Sequence, residues 1–280
     1  MRERQNRGMK RSPLFLVLLV GSFVLSACAE HKSPQAPQAP VAKTAIPQTV
    51  ATPTPAIAAP AAARPAGAPR LGDGIQWFRS AAEYRAITIS TYRAATEAVS
   101  NAAKGRARDS WAVVLDADET VLDNSVFQRD LARGTAPFSE EMWAAFVRLH
   151  SAVAVPGAKT FLDGVKELGG RIAIVTNRFD NLCDDTRENF RLQNLPFDVI
   201  LCRVGPSDKN PRFESAATGA AFGDNKARDV LAFVGDNILD FPALKQSLRD
   251  EPESAFAAFG KRFFILPNPM YGSWQQVPAR

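Results

Sequence analysis

Asp116 and Asp118 stand one residue apart at the end of an apolar run, Trp111-Ala-Val-Val-Leu115, and are followed by Glu119, Thr120 and Asn124. Two carboxylates at the rim of a buried strand carry a desolvation cost that folds offset with a cation or turn to chemical use. Residues i and i+2 of an extended segment point the same way, so both carboxylates can reach one group of substrate atoms. Polar residues also end two further runs: Thr176-Asn177-Arg178 follows Arg171–Val175, and Gly235-Asp236-Asn237 follows Val230–Val234. In parallel α/β sheets ligands bind outside the carboxyl ends of the strands, so three such ends converging on one mouth are a stronger signal than any single dipeptide.

The elements that must position these residues are legible as five short apolar runs: Ala112–Leu115, Arg171–Val175, Phe197–Leu201, Val230–Val234 and Arg262–Leu266. Most are continuous, not alternating, as in strands buried on both faces. Helical patterns over Lys159–Leu168 and Asp180–Leu195 connect successive strands, and Ile238–Phe259 is expected as a helix leading into the last. Strands alternating with helices imply βαβ units and a mainly parallel sheet covered on both sides. Gly74–Lys104 is expected as one long helical lead-in. The stretch between the first and second strands is far longer than a crossover helix needs. Within it Ser139–His150 is amphipathic, with Ser139 as N-cap and Glu140 and Glu141 in the first turn. Residues 121–158 are therefore expected to form a small, mostly helical cap over the mouth of the sheet.

With these motifs in this order, the chain resembles the haloacid-dehalogenase-like (HAD) phosphatases, and within them the bacterial class C nonspecific acid phosphatases, which are lipoproteins. The resemblance rests on Asp116-Ala-Asp118-Glu-Thr120-Val-Leu-Asp-Asn-Ser, Ile174-Val-Thr176-Asn177-Arg178, Asp208-Lys209-Asn-Pro-Arg212-Phe, Gly235-Asp236-Asn237-Ile-Leu-Asp240-Phe and Pro267-Asn-Pro-Met-Tyr271-Gly-Ser-Trp274. It implies an α/β fold, a HAD-like Rossmannoid three-layer sandwich with a mainly parallel sheet and a smaller helical cap. It implies a Mg²⁺-dependent phosphomonoester hydrolase of broad range that includes nucleoside 5′-monophosphates.

The residue roles follow the needs of phosphoryl transfer, in which negative charge must be neutralised and attack held in line. Asp116 is the expected nucleophile and Asp118 the general acid, then base. Thr176 and Lys209 are expected to contact the phosphoryl group, with Lys226 as a rival lysine. Asp236 would hold Mg²⁺ together with Asp116 and the main-chain carbonyl of Asp118, an oxygen shell that suits this ion. Asn177 and Arg178 are candidate substrate contacts. Trp143 and Tyr271 can clamp an aromatic leaving group or simply pack in the core. Asp240 is open between supporting the site and capping the helix expected from Ile238. An acid at position 118 separates phosphate chemistry from dehalogenation and ion pumping, where this position holds no Asp. With only His31 and His150, a histidine-nucleophile or multi-histidine zinc phosphatase is excluded. Two readings of other kinds stand beside hydrolysis: a non-catalytic surface lipoprotein on this fold, adhesive or nutrient-binding, and phosphotransfer to an acceptor alcohol.

The remaining sequence concerns location. Residues 1–27 join a basic start to an apolar run, Leu14–Leu25, and end in Leu-Ser-Ala before Cys28, the pattern of a bacterial lipoprotein signal with lipidation at Cys28. This leader holds five basic residues and one acid, and so carries most of the chain's formal charge of +5. The rest is close to neutral, which argues against a nucleic-acid polymer as partner. Residues 28–70, rich in Pro and Ala, are expected as a disordered tether, and 71–280 as the phosphatase domain. An outer-membrane lipoprotein of a Gram-negative-type bacterium is implied, with self-association left open. Cys183 and Cys202 can pair in an oxidising compartment or remain two buried thiols.

Overall fold

The computed structural model describes residues 71–278, so the signal, Cys28 and the expected tether lie outside the described residues. In chain order the elements are α1 (Asp73–Ser80), α2 (Ala82–Ala102), β1 (Trp111–Leu115), β2 (Leu122–Asp123), α3 (Ser125–Arg133), α4 (Glu140–Val147), β3 (Val153–Ala154), α5 (Ala158–Leu168), β4 (Arg171–Phe179), α6 (Cys183–Leu192), β5 (Val199–Arg203), α7 (Asn210–Thr218), β6 (Asp229–Gly235) and β7 (Phe263–Ile265). The five longer-range strands form one sheet in the order β5-β4-β1-β6-β7, every pairing parallel.

Burial on both faces explains the unbroken apolar runs. Every residue of β1 is at most 1% exposed. Trp111, Val113 and Leu115 meet α2, α5 and α6 through Tyr92, Phe161, Leu162 and Phe190. Val114 faces the opposite core, with Phe213 of α7, Phe233 and Phe241. Each such side chain contributes about 1.5–3 kcal/mol on burial. The helix pattern that predicts α5 places Phe161, Leu162 and Val165 on this buried side.

Three expectations about the elements are corrected. The lead-in is two helices, not one, because Ala81 is extended (φ −81, ψ 133). The break lets Phe78 and Tyr84, six positions apart and so on different faces of a straight helix, stack with centroids 4.0 Å apart. The helix expected over Ile238–Phe259 is replaced by short 3₁₀ turns at Ile238–Asp240, Gln246–Asp250 and Glu253–Phe256. Pro242 and Pro252 remove donors and force their predecessors out of the helical region: Phe241 (φ −115, ψ 139) and Glu251 (φ −82, ψ 156) are extended. Finally, β4 continues past Val175 through Phe179, and β5 runs two residues later than expected, to Arg203.

The insert forms a cap as expected, made of α3 and α4 with a two-stranded antiparallel ribbon, β2 with β3, at its base. Ser139 caps α4 by accepting the Met142 N–H at 3.2 Å. Cys183 at the start of α6 and Cys202 in β5 form a disulfide, with Cα atoms 5.9 Å apart.

Candidate active site

Asp116 leaves β1 with its N–H donated to the Val234 carbonyl at 3.0 Å, which extends the β1–β6 pairing by one residue and fixes where its carboxylate starts. Lys209, just before α7, reaches this carboxylate: its Nζ lies 2.6 Å from Asp116 Oδ1 and 2.6 Å from Asp240 Oδ1. The lysine is 4% exposed. Burial alone would lower its pKa, but the two carboxylates outweigh that and hold the ammonium above its ordinary range. Asp116 is pushed well up, first by burial and then by repulsion from Asp240, Asp236 and Asp118, with Lys209 opposing. One ammonium is too little positive charge for this group of acids. Lys226, the rival lysine, is exposed in the loop before β6.

Asp118 faces the other way along the mouth. Its Oδ1 accepts from Arg178 Nε at 2.9 Å, Arg178 Nη2 at 2.8 Å and Asn124 Nδ2 at 2.8 Å. Three donors on one oxygen leave Oδ2, 3.5 Å from the Thr176 hydroxyl, as the oxygen free for chemistry. Arg178 is 2% exposed and is held in turn by Thr186 of α6 and Asn124 of the cap base. The structure thus places Arg178, a candidate substrate contact, against the second aspartate, where its bonds orient a carboxylate. Thr176 is fully buried and also accepts the Arg178 N–H. Asn177 is exposed on the mouth and accepts from Arg212 at 2.7 Å.

A cation site is visible in the donor set. Oxygens of Asp116, Asp236 and Asp240 all lie within 4.8 Å of one another. Asp236 is pushed up to about 7 by burial and then by Asp240, although Asn268 and Thr120 donate to it at 2.9 Å each. Buried acids that repel one another, with hard oxygen donors only, fit a divalent ion of the Mg²⁺ type. Asp240 has both oxygens engaged, one by Lys209 and the other by the Asn237 N–H at 2.9 Å. It therefore both supports the lysine and caps the turn that follows β6. Gly235 permits this: a methyl group there would overlap the Asp240 side chain. The Asp118 carboxylate is not in this cluster, so a part for Asp118 in holding an ion would fall to its main-chain carbonyl.

Asp116, Asp118, Asn177, Arg178, Lys209, Asp236 and Asp240 line one cavity of ≈ 540 Å³ together with Gln128, Leu131, Phe138 and Trp143 of the cap and Tyr271 of the C-terminal segment. Trp143 packs on Phe127 and Phe146 within the cap and also lies under the Arg178 guanidinium, 5.3 Å from ring centre to Cζ. Tyr271 donates its hydroxyl to Glu119. Glu119 is fully buried at φ 55, accepts the Asn124 N–H at 2.9 Å and is pushed well up by burial and then by Asp118 and Asp236.

The structure brings Asp116, Asp118, Thr176, Lys209 and Asp236 to one mouth, with Asn177, Arg178, Trp143 and Tyr271 on its walls. Sequence reasoning missed the supporting polar residues Thr120, Asn124, Asn268 and Glu119. Their sequence signal was their place as polar residues inside the motifs; that Glu119, Thr120 and Asn124 are fully buried is visible only in the structure.

A family model described as HAD superfamily, subfamily IIIB (acid phosphatase), matches residues 47–274, a span that begins within the stretch read as tether. Among solved structures, a class C acid phosphatase from Bacillus anthracis is similar at 30% identity and a TM-score of 0.62, covering 72% of this chain and 85% of its own. A tungstate-bound class C acid phosphatase from Bacillus anthracis matches at 28% identity, TM-score 0.62 and the same coverage. HAD phosphatases generally use a divalent metal, in keeping with the aspartate cluster. A parallel α/β sheet with this cap and this constellation of strand-end acids is the framework of a phosphomonoesterase, and the chain belongs to the acid phosphatases of HAD subfamily IIIB.

Proposed function

We propose that the chain is a Mg²⁺-dependent acid phosphatase that works through an aspartyl-phosphate on Asp116, with nucleoside 5′-monophosphates among its substrates. The observation that carries this reading is the division of labour between the two aspartates: Lys209 holds Asp116, whereas Arg178 and Asn124 hold Asp118 by one oxygen only. Asp116 keeps Oδ2 for attack on phosphorus, which forms the acyl phosphate as the ester oxygen departs. Asp118 gives that oxygen its proton from Oδ2 and then takes one from the water that releases phosphate and restores Asp116. Thr176 and Lys209 offer an O–H and an N–H to the charged phosphoryl oxygens. Asp116 and Asp236, with the Asp118 carbonyl, would hold the ion, which supplies positive charge to the transferring group. Trp143 and Tyr271 support the nucleotide part of the reading, as aromatic walls for a base. A tungstate-bound relative is consistent with a site for tetrahedral oxyanions.

The test is hydrolysis of p-nitrophenyl phosphate and of nucleoside 5′-monophosphates by the purified protein, with and without chelator and with Mg²⁺ restored. Activity should vanish on chelation and in Asp116→Asn, by roughly 10⁴-fold or more. Folded protein inert at every pH from acid to neutral would overturn the reading. For location, we propose outer-membrane anchoring through lipid on Cys28. The leader sequence supports it, and loss of radiolabelled palmitate from Cys28→Ser is its measure.

A further inference from the structure

We propose that Arg203 forms a second anion subsite, so that the preferred substrates are phosphomonoesters whose leaving group carries another phosphate or a carboxylate. The inference rests on the phosphatase reading and concerns the far wall of the same cavity. Three cationic side chains line that cavity among the described residues: Arg178, Arg203 and Lys209. Two are taken, Arg178 by Asp118 and Lys209 by Asp116 and Asp240. Among the described residues Arg203 is bonded to no carboxylate, and its Nε is buried without a hydrogen-bond partner there. Buried donors are rarely left so in native proteins unless a ligand or redistributed solvent meets the group.

Its position is built, not incidental. β4 extends beyond Thr176 so that Phe179 pairs with Arg203 across the strands. The guanidinium then lies on the Phe179 ring, 3.8 Å from its centre. Stacking uses the faces of a guanidinium and leaves its edge, where the N–H groups lie, for a planar or tetrahedral anion. One neighbour reinforces the site. Asn177 on the same wall has its carbonyl oxygen occupied by Arg212, which leaves its amide to donate. Behind this wall Arg212 feels the Asp116 carboxylate, the repelling charge of Arg203 and the Asp208 carboxylate, and its own hydrogen bonds go to the Thr176, Ser207 and Asp208 carbonyls and Asn177. Arg203, which bonds no carboxylate among the described residues, therefore carries the attraction for an anion at this wall. The acids of the cavity stand elsewhere: Asp116, Asp118, Asp236 and Asp240 at the reacting end, and Glu140 in the first turn of α4 on the cap wall. The sheet order separates β5 from β1 by two strand spacings, about 10 Å. The second anion therefore sits on the leaving group, across the mouth from Asp116 and farther along the strands, since Arg203 pairs with Phe179 beyond Thr176.

The experiment compares three substrates of one carbon skeleton: glucose 6-phosphate, 6-phosphogluconate and glucose 1,6-bisphosphate. For the wild-type holoenzyme, kcat/KM for the two doubly anionic substrates should exceed that for glucose 6-phosphate by about tenfold, beyond the statistical gain of two phosphates, and mainly through KM. The margin should shrink as ionic strength rises. Arg203→Ala should bring the ratio toward unity, and Arg203→Lys should retain part of it. The carboxylate and phosphate substrates separate the two kinds of anion. A wild-type ratio near unity overturns the inference, and this readout needs no variant to fold. So does an Arg203→Ala protein that loses activity on all three substrates in equal proportion. Inertness of the wild type toward every phosphomonoester would instead remove the phosphatase reading, and this inference with it.

Discussion

At the scale of single residues, the proposed mechanism gives each carboxylate of the site its task by what holds it. Three donors on Oδ1 of Asp118 prevent the carboxyl from rotating and keep the other oxygen toward the mouth. Asp118→Asn should therefore lower kcat/KM, which reports the phosphorylation step, by about 10²–10⁴-fold on alkyl phosphates, whose leaving oxygen needs a proton. The loss on p-nitrophenyl phosphate should be much smaller, because that leaving group departs as an anion. The water-attack step needs the same base whatever the leaving group, so kcat/KM, not kcat, over a series of leaving groups measures this, and equal losses in kcat/KM across the series would refute the acid role. Thr120 acts through Asp236, to which its hydroxyl donates. Thr120→Val should weaken Mg²⁺ binding by about 10–100-fold, read by titration calorimetry.

At the scale of elements, the site depends on how strands and helices are pinned at the mouth. The disulfide ties the first turn of α6 to β5, across a sequence separation of 19. The same first half of α6 carries Thr186, which supports Arg178. Closing a loop of that length stabilises by about 3 kcal/mol in the chain-entropy view. Reduction, or a Cys183→Ser, Cys202→Ser double variant, should lower Tm by roughly 6–12 °C for a domain of this size, measured by calorimetry. The loop before β6 is held by Asp224 on the buried Arg228, with Nη2 and Oδ2 2.5 Å apart. The Arg228 hydrogen bonds, and then the Lys226 N–H, hold Asp224 well below its ordinary value of 3.8. A depressed folded pKa gives stability that is present above the unfolded value and lost as pH falls through the folded one. Thermal melts should find Asp224→Asn less stable than wild type at pH 7, with the gap closing as pH drops below about 4. The contact is thus intact at mildly acidic pH.

At the scale of the whole molecule, the sheet carries a buried excess of negative charge at its mouth. Asp116 and Asp236 are both raised in pKa by burial and by their neighbours, and Lys209 offsets only part of this. In the proposed Mg²⁺ site, folding and ion binding are therefore linked. Mg²⁺ at a hundredfold excess over its Kd should add about 2.7 kcal/mol to the stability of the wild-type protein. Asp236→Asn should abolish that gain while relieving the repulsion in the metal-free protein. Melts with chelator and with Mg²⁺ test both halves, and an unchanged Mg²⁺ response in Asp236→Asn would count against the ion site.

Local physics made the framework and the reacting acids legible in the sequence. Continuous apolar runs mark strands buried on both faces, and polar residues at their ends mark the mouth, because burial forbids them anywhere else along the strand. The cap and α4 with its Ser139 cap were readable on the same grounds, whereas Lys209 stood out only through the resemblance of its motif to the HAD phosphatases. Only the tertiary structure decided how these pieces meet. It chose Lys209 over Lys226, turned Arg178 onto Asp118, joined Asp240 to the lysine and paired Phe179 with Arg203. Contacts between residues tens of positions apart leave no period in the sequence, since they depend on strand order and register. The prolines at 242 and 252 had been readable as helix breakers, and here the apolar pattern misled. The break at Ala81 had no local signal and follows from the packing of Phe78 on Tyr84. Sequence alone thus determined which residues can do the chemistry. The fold determined which oxygen of each is left to do it, because side-chain contacts made across the sheet, not the chain's local pattern, occupy the others.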